Sequence, residues 1–260
     1  MDKYAFSTGA LYTYETIDGL THLKKAGFNN IELMPQCFSD TSLDTLSKID
    51  KVGIHVSSIH FPLAFFSLLY NANPNMKEEF IKYADSLSVF AKKAGTSVMV
   101  IHTESPYSGR MWEVVGSKIR DNIRYLSEKM AEVGVTLCME NHPSGVGQHP
   151  DTLDSYVESM KLENMKIIID TTESLEGDVD PYVFISGLKE VPAHLHISDF
   201  GNGTKHLPIG KGEIDWKKLF ALLKERGYSG YYTLEPSYRH YIDDIDTALR
   251  RDYEYISSLV

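Results

Sequence analysis

Gly134-Val135-Thr136-Leu137-Cys138-Met139-Glu140 holds the whole fold in miniature. A glycine stops a helix, an apolar run of strand length follows at once, and an ionisable residue closes the run. Upstream, Ile119, Ile123, Leu126, Met130 and Val133 mark one apolar face at helical spacing, with Gly134 as the C-terminal stop. The run Val135–Glu140 is apolar on both alternating sets of positions, as a strand covered on both faces requires.

Seven further runs of the same kind lie to either side: Tyr4–Ser7, Asn30–Met34, Ile54–His60, Ser97–His102, Lys166–Asp170, Ala193–Ser198 and Tyr231–Glu235. Between them Phe80, Ala84, Leu87, Ala91 and Ala94 mark another helix, ended by Gly95, and Ala26-Gly27 and Arg226-Gly227 end two more. Eight strands, each followed by a helix, at a mean repeat of about 32 residues predict an α/β protein built as a single (β/α)8 barrel over residues 1–260. An open doubly wound sheet shares the alternation. Yet no Gly-x-Gly-x-x-Gly follows the first strand and no Gly-x-x-x-x-Gly-Lys occurs, so no nucleotide cofactor is expected.

Twenty-six Lys and Arg against 36 Asp and Glu leave a net charge of −10, which disfavours nucleic acid as a partner. Cys37 and Cys138 offer no disulfide framework, and their apolar surroundings lead us to expect two buried free thiols. Met1-Asp2-Lys3-Tyr4-Ala5 lacks the charged-then-apolar pattern of a secretory signal, so a cytoplasmic location is the expectation. The apolar stretch Phe61–Tyr70 is interrupted by Pro62 and Ser67 and is too short to span a bilayer, so no membrane partner is expected. The longer connection Phe61–Pro74 is a candidate lid over a barrel mouth. The exterior pattern leaves self-association into a homo-oligomer open.

The ends of the strands carry the chemistry. His60 closes the third, His102 the fourth, Glu140 the fifth, Asp170 the sixth and Glu235 the eighth, while His196 lies within the seventh. Strand C-termini of a barrel share one mouth, so these six residues converge. Each has a bland explanation by itself: a histidine satisfied by backbone groups, a helix N-cap, a strand end meeting solvent. Together they outweigh it, because ionisable groups gathered at one mouth need pairing or a metal. Imidazoles with carboxylates and no thiolate suit a divalent ion such as Mn²⁺, Mg²⁺, Co²⁺ or Zn²⁺.

Five segments in order carry a resemblance over nearly the whole chain: Ser57–Pro62, Met139-Glu140-Asn141, Ile169–Thr172, His194–Asp199 and Ile209–Trp216. The chain resembles the xylose-isomerase-like barrel superfamily, which joins sugar isomerases and epimerases to endonuclease IV enzymes, and it stands closer to the isomerase and epimerase branch. The resemblance implies Glu140, Asp170, His196 and Glu235 as ligands of one divalent metal, with Glu140 and Glu235 as the catalytic carboxylates. His60 and His102 match positions that in the endonuclease branch hold further metal, so they are candidates for a second metal or for substrate contact. Glu173 and Thr204 stand where that branch has a His and an Asp, although His206 keeps its match.

The expected activity is isomerisation or epimerisation of a small sugar, sugar phosphate or hydroxy-carbonyl compound by proton transfer through a metal-stabilised enediolate. Glu173, Lys205, His206 and Arg110 are the candidate contacts to the polyol or sugar. Tyr12, Phe65, Phe66, Tyr107 and Tyr238 are candidates for an apolar wall against it. The alternatives are a metal-dependent phosphodiesterase acting on abasic DNA and a noncatalytic sugar-binding barrel.

Overall fold

The computed structural model describes residues 3–103 and 109–259. Its strands are β1 Tyr4–Ser7, β2 Asn30–Leu33, β3 His55–His60, β4 Val98–His102, β5 Thr136–Glu140, β6 Met165–Asp170, β7 His194–Ile197, β8 Asp199–Gly201, β9 Thr204–Leu207 and β10 Tyr232–Leu234. Eight of them close a parallel barrel in the order β1-β10-β7-β6-β5-β4-β3-β2. The eight runs read from the sequence match these strands to within one residue at either end. The hairpin β8-β9 was not expected; it is a two-stranded antiparallel sheet outside the barrel.

The helices are α1 Thr16–Ala26, α2 Leu43–Val52, α3 Phe66–Leu69, α4 Pro74–Ala94, α5 Gly109–Glu132, α6 Pro150–Met160, α7 Thr171–Glu176, α8 Pro181–Gly187, α9 Trp216–Glu225 and α10 Ile245–Ser257. α1 ends on Gly27, whose left-handed φ of 118° lets its N–H bond back to Leu23 and Lys24. None of the helices among the described residues is long and apolar enough to cross a membrane.

Strand residues alternate between two environments. One set, such as Met99, Ile101, Leu137, Met139 and Ile169, belongs to the main apolar core with the helices. The other set faces the barrel interior, where Val98, Val100, Cys138 and Ile168 form a separate apolar cluster. One further step along the same parity brings His102, Glu140 and Asp170 to the mouth. Cys138 is therefore buried as expected, but Cys37 is exposed. The chain has left β2 by then, and the Cys37 N–H joins that of Gln36 in bonding to the Asp40 carboxylate of a surface turn.

The connection after β3 folds into a 3-10 turn and α3, with Leu68, Leu69 and Tyr70 buried. Asn122 of α5 donates to the carbonyls of Leu69 (3.0 Å) and Asn71 (3.4 Å), and the Tyr70 hydroxyl donates to the His102 carbonyl. This segment is fastened to its own chain at its C-terminal end.

Candidate metal centre

Barrel register sets the site. β4 and β5 pair so that His102 lies beside Glu140, and β6 and β7 pair so that Asp170 lies beside His196. Asn141, just past β5, clamps the next strand: its amide donates to the Asp170 carbonyl (3.1 Å) and accepts from the Asp170 N–H (2.6 Å). The clamp holds Asp170 at the mouth.

His196 is at the centre and is fully buried. Its Nδ1 lies 2.6 Å from Glu140 Oε1 and 2.7 Å from Glu235 Oε2. Asp170 divides its two oxygens. Oδ1 caps α7, accepting from the N–H of Thr172 (2.6 Å), the N–H of Glu173 (2.9 Å) and the Thr172 hydroxyl (2.8 Å). Oδ2 is buried with no hydrogen-bond partner. The bland reading of Asp170 as a helix cap thus holds for one oxygen and leaves the other free. One ligand atom from each of Glu140, Asp170, His196 and Glu235 can be drawn so that all lie within 4.8 Å of one another.

The charges point the same way. Burial opposes ionisation of Asp170, and the neighbouring Glu140, Glu173 and Glu235 charges add to it against an opposing His206, pushing the carboxyl up to about 6. Burial also works against charge on Glu140 and His196. Here the mutual attraction wins, holding the Glu140 carboxyl well below and His196 well above their ordinary values. Two carboxylates thus meet one imidazole nitrogen with the Asp170 carboxyl beside them, and a divalent cation in place of the proton would offset more of their charge. The orphaned Asp170 oxygen and this donor set fit such an ion.

Two flanking groups complete the mouth. On one side His60 Nδ1 donates to the Phe61 carbonyl (2.7 Å), while its Nε2 lies 3.1 Å from His102 Nε2. Glu140 Oε2 is 3.1 Å from His102 and 3.6 Å from His60. These three residues form a second group of metal-ligating type. On the other side the β8-β9 hairpin presents His206, a non-glycine residue at φ 53°. Its Nδ1 lies 3.2 Å from the Thr172 and Ser198 hydroxyls and 3.1 Å from the Glu235 carbonyl, and its Nε2 is 3.6 Å from Glu173. Burial draws the His206 ring down, but Glu173 and the Asp170 and Glu235 charges push it up to about 9. Lys205 pairs with Glu173 at 3.4 Å and Glu176 at 2.5 Å.

A cavity of about 580 Å³ opens over the centre, lined by both flanking groups and all the proposed ligands except His196, which lies beneath it. Of the other candidates, Tyr238 lines the cavity and Tyr12 packs edge-on against it at 4.8 Å. Phe65 stacks on Phe38 at 4.1 Å, and Phe66 on Tyr70 at 4.2 Å. Arg110 is exposed at the start of α5 and outside the lining. Tyr107 lies outside the described residues.

Residues of the site not read from the sequence include Glu176, the partner of Lys205, and Glu32 and His194, both fully buried one strand step below the mouth. For His194 the signal was available in its period-two spacing with His196.

The molecule can now be set beside known proteins. An inosose dehydratase of Serratia proteamaculans is 23% identical over 79% of this chain and 76% of its own length. An uncharacterized protein of Methanocaldococcus jannaschii is 28% identical over 54% of this chain and only 50% of its own length. Among solved structures, the 3-keto-D-glucoside 4-epimerase YcjR of E. coli superposes with a TM-score of 0.80 at 16% identity, covering 99% of this chain and 100% of its own. The IOLI protein with a binding zinc atom gives 0.77 at 19%, covering 99% and 98%. The xylose isomerase-like TIM barrel model matches residues 20–259, and the chain belongs to that family.

Proposed function

We propose that the protein is a divalent-metal-dependent enzyme that isomerises or epimerises a small uncharged sugar or hydroxy-carbonyl compound. The observation that carries this reading is the gathering of one ligand atom each from Glu140, Asp170, His196 and Glu235 within 4.8 Å of one another beneath an open cavity. Similarity to an epimerase of a keto-glucoside and to inosose dehydratases supports the sugar class. The zinc atom in a structural neighbour supports the metal.

Glu140, Asp170, His196 and Glu235 would hold a divalent ion, which when bound would supply Lewis-acid polarisation of adjacent hydroxyl and carbonyl oxygens and so acidify the proton on the hydroxyl-bearing carbon next to the carbonyl. One of the carboxylates Glu140 and Glu235 takes that proton; the other returns one to the opposite face, or to the neighbouring carbon. His102 and His60 hold the second oxygen of Glu140 and turn the first toward the centre. Glu173 and His206 meet the hydroxyls at the far end of the substrate.

The lining supports an uncharged substrate. Beyond the proposed ion, which Glu140, Asp170 and Glu235 would offset, Glu173 and Glu176 already engage Lys205 and His206. A phosphate would have to displace those pairs among further carboxylates. The same feature and the net charge of −10 weigh against the phosphodiesterase reading.

The test is a screen of free and phosphorylated ketoses in deuterated water. Deuterium should enter the substrate carbon, with free sugars preferred. Glu140→Gln and Glu235→Gln should each lose about 10²–10⁴-fold in rate. Turnover of phosphorylated substrates alone would contradict the uncharged class, and unimpaired glutamine variants would contradict the two roles. A second reading, dehydration, rests on the place of His206 in the cavity lining, where its protonated ring would give a proton to a departing hydroxyl while Glu140 or Glu235 takes the proton from the adjacent carbon. A product lighter by one water would select it.

A further inference from the structure

We infer that Glu32 is the positioning residue of the metal centre, holding His196 so that its Nδ1 faces the carboxylates of the mouth. This rests on the metal-centre reading above. Glu32 stands on β2, one strand step below the mouth, and is fully buried. Its strand is not a neighbour of β7, so its side chain reaches across the barrel interior.

Each carboxylate oxygen of Glu32 meets a different imidazole of β7. Oε2 lies 3.0 Å from His194 Nε2, and Oε1 lies 2.8 Å from His196 Nε2. The second contact is off the line of a straight hydrogen bond, so charge rather than bond direction dominates it. With carboxylates at both ring nitrogens the metal-free ring carries a hydrogen on each, and an ion taken at Nδ1 leaves the one on Nε2 facing Glu32. Flipping the ring would set a C–H against the carboxylate and leave Oε1 of a buried, charged group without its partner, a costly exchange. His194 keeps Glu32 from turning away, and the Thr233 hydroxyl, 3.2 Å from His194 Nε2, in turn anchors His194. With Nε2 committed below, Nδ1 is the nitrogen offered to an ion, and its position is set before one arrives.

The test uses the full chain with Zn²⁺ as the probe. Competition with a chromophoric chelator gives the affinity of the wild type and of Glu32→Gln, which keeps the size of the side chain. Imidazole ¹⁵N shifts of the Zn²⁺-loaded wild type report which nitrogen of His196 ligates. Expected are ligation through Nδ1, a slowly exchanging hydrogen on Nε2, and roughly 10–100-fold weaker Zn²⁺ binding in Glu32→Gln with unchanged circular dichroism. Wild-type affinity in the folded variant, or ligation through Nε2, overturns the role of Glu32. Absence of Zn²⁺ uptake by the wild type overturns the metal centre and this role together, an outcome distinct from a wild-type centre indifferent to Glu32. If Glu32→Gln does not fold, the wild-type spectrum decides alone.

Discussion

Asp170 joins two functions whose demands conflict. Its capping oxygen stabilises α7, while its partnerless oxygen costs stability whenever the carboxyl is ionised in the metal-free chain. A carboxyl raised from 3.8 to about 6 binds its proton more tightly folded than unfolded, so stability is lost as pH rises through that interval. Above it the loss is on the order of 3 kcal/mol. Asp170→Asn keeps a good cap and removes the charge. In chelator, thermal unfolding at about pH 7.5 should therefore show Asp170→Asn more stable than the wild type, with the gap closing near about pH 4. A less stable variant at the higher pH would contradict this. His206 has the opposite sign: raised from 6.5 to about 9, its pairing stabilises fully below the first value and is lost as pH rises through the second. Glu173→Gln should move its NMR titration back toward the ordinary histidine range, and an unmoved curve would exclude Glu173 as the cause. Every strand-closing residue was legible from the sequence because an ionisable group ending an apolar run is conspicuous. Glu32 was not, since within Asn30–Met34 it reads as an interruption of the strand until parity sets it in the barrel interior.

At the scale of elements, the hairpin β8-β9 and the loop Ile209–Trp216 hang on one carboxylate. Asp199 accepts from the N–H groups of Phe200 (3.0 Å), Gly210 (2.9 Å) and Ile214 (3.2 Å) and from the Trp216 indole (3.0 Å). Asp199→Asn puts a donor among these donors and should cost about 1–3 kcal/mol in denaturant unfolding. Gly212 is needed at the same spot, because a Cβ there would come within 2.4 Å of Asp199 Oδ1 and the Phe200 carbonyl. Gly212→Ala should therefore destabilise the hairpin and displace His206; a variant with wild-type stability and an unchanged His206 resonance would contradict that. The sequence marked this loop only as the segment Ile209–Trp216 of the resemblance; in the structure its Asp215 caps α9 through the Lys218 N–H (3.1 Å). The sequence did not reveal the hairpin, because the short polar strand β9 is half exposed and shows no apolar alternation. Cys37 misled for a related reason: neighbouring apolar residues do not bury a side chain once the backbone has turned to the surface.

For the whole molecule, the eightfold alternation was sufficient to read the barrel, since strands covered on both faces and helices stopped by glycine leave few other closures. The location of the site followed from that closure, because all eight strand ends meet at one mouth. Its electrostatic character was only partly legible: the net charge of −10 could be counted, but not that Lys205 and His206 would be occupied by carboxylates. The excess of buried negative charge around His196 is what a single divalent ion would offset. The most direct measurement is the metal content per chain of the wild type, Asp170→Asn and His60→Ala, each purified without chelator. One ion in the wild type and in His60→Ala, and none in Asp170→Asn, is the expected result. A wild type that takes up no divalent ion, or an ion that stays in Asp170→Asn and leaves with His60→Ala, would contradict it.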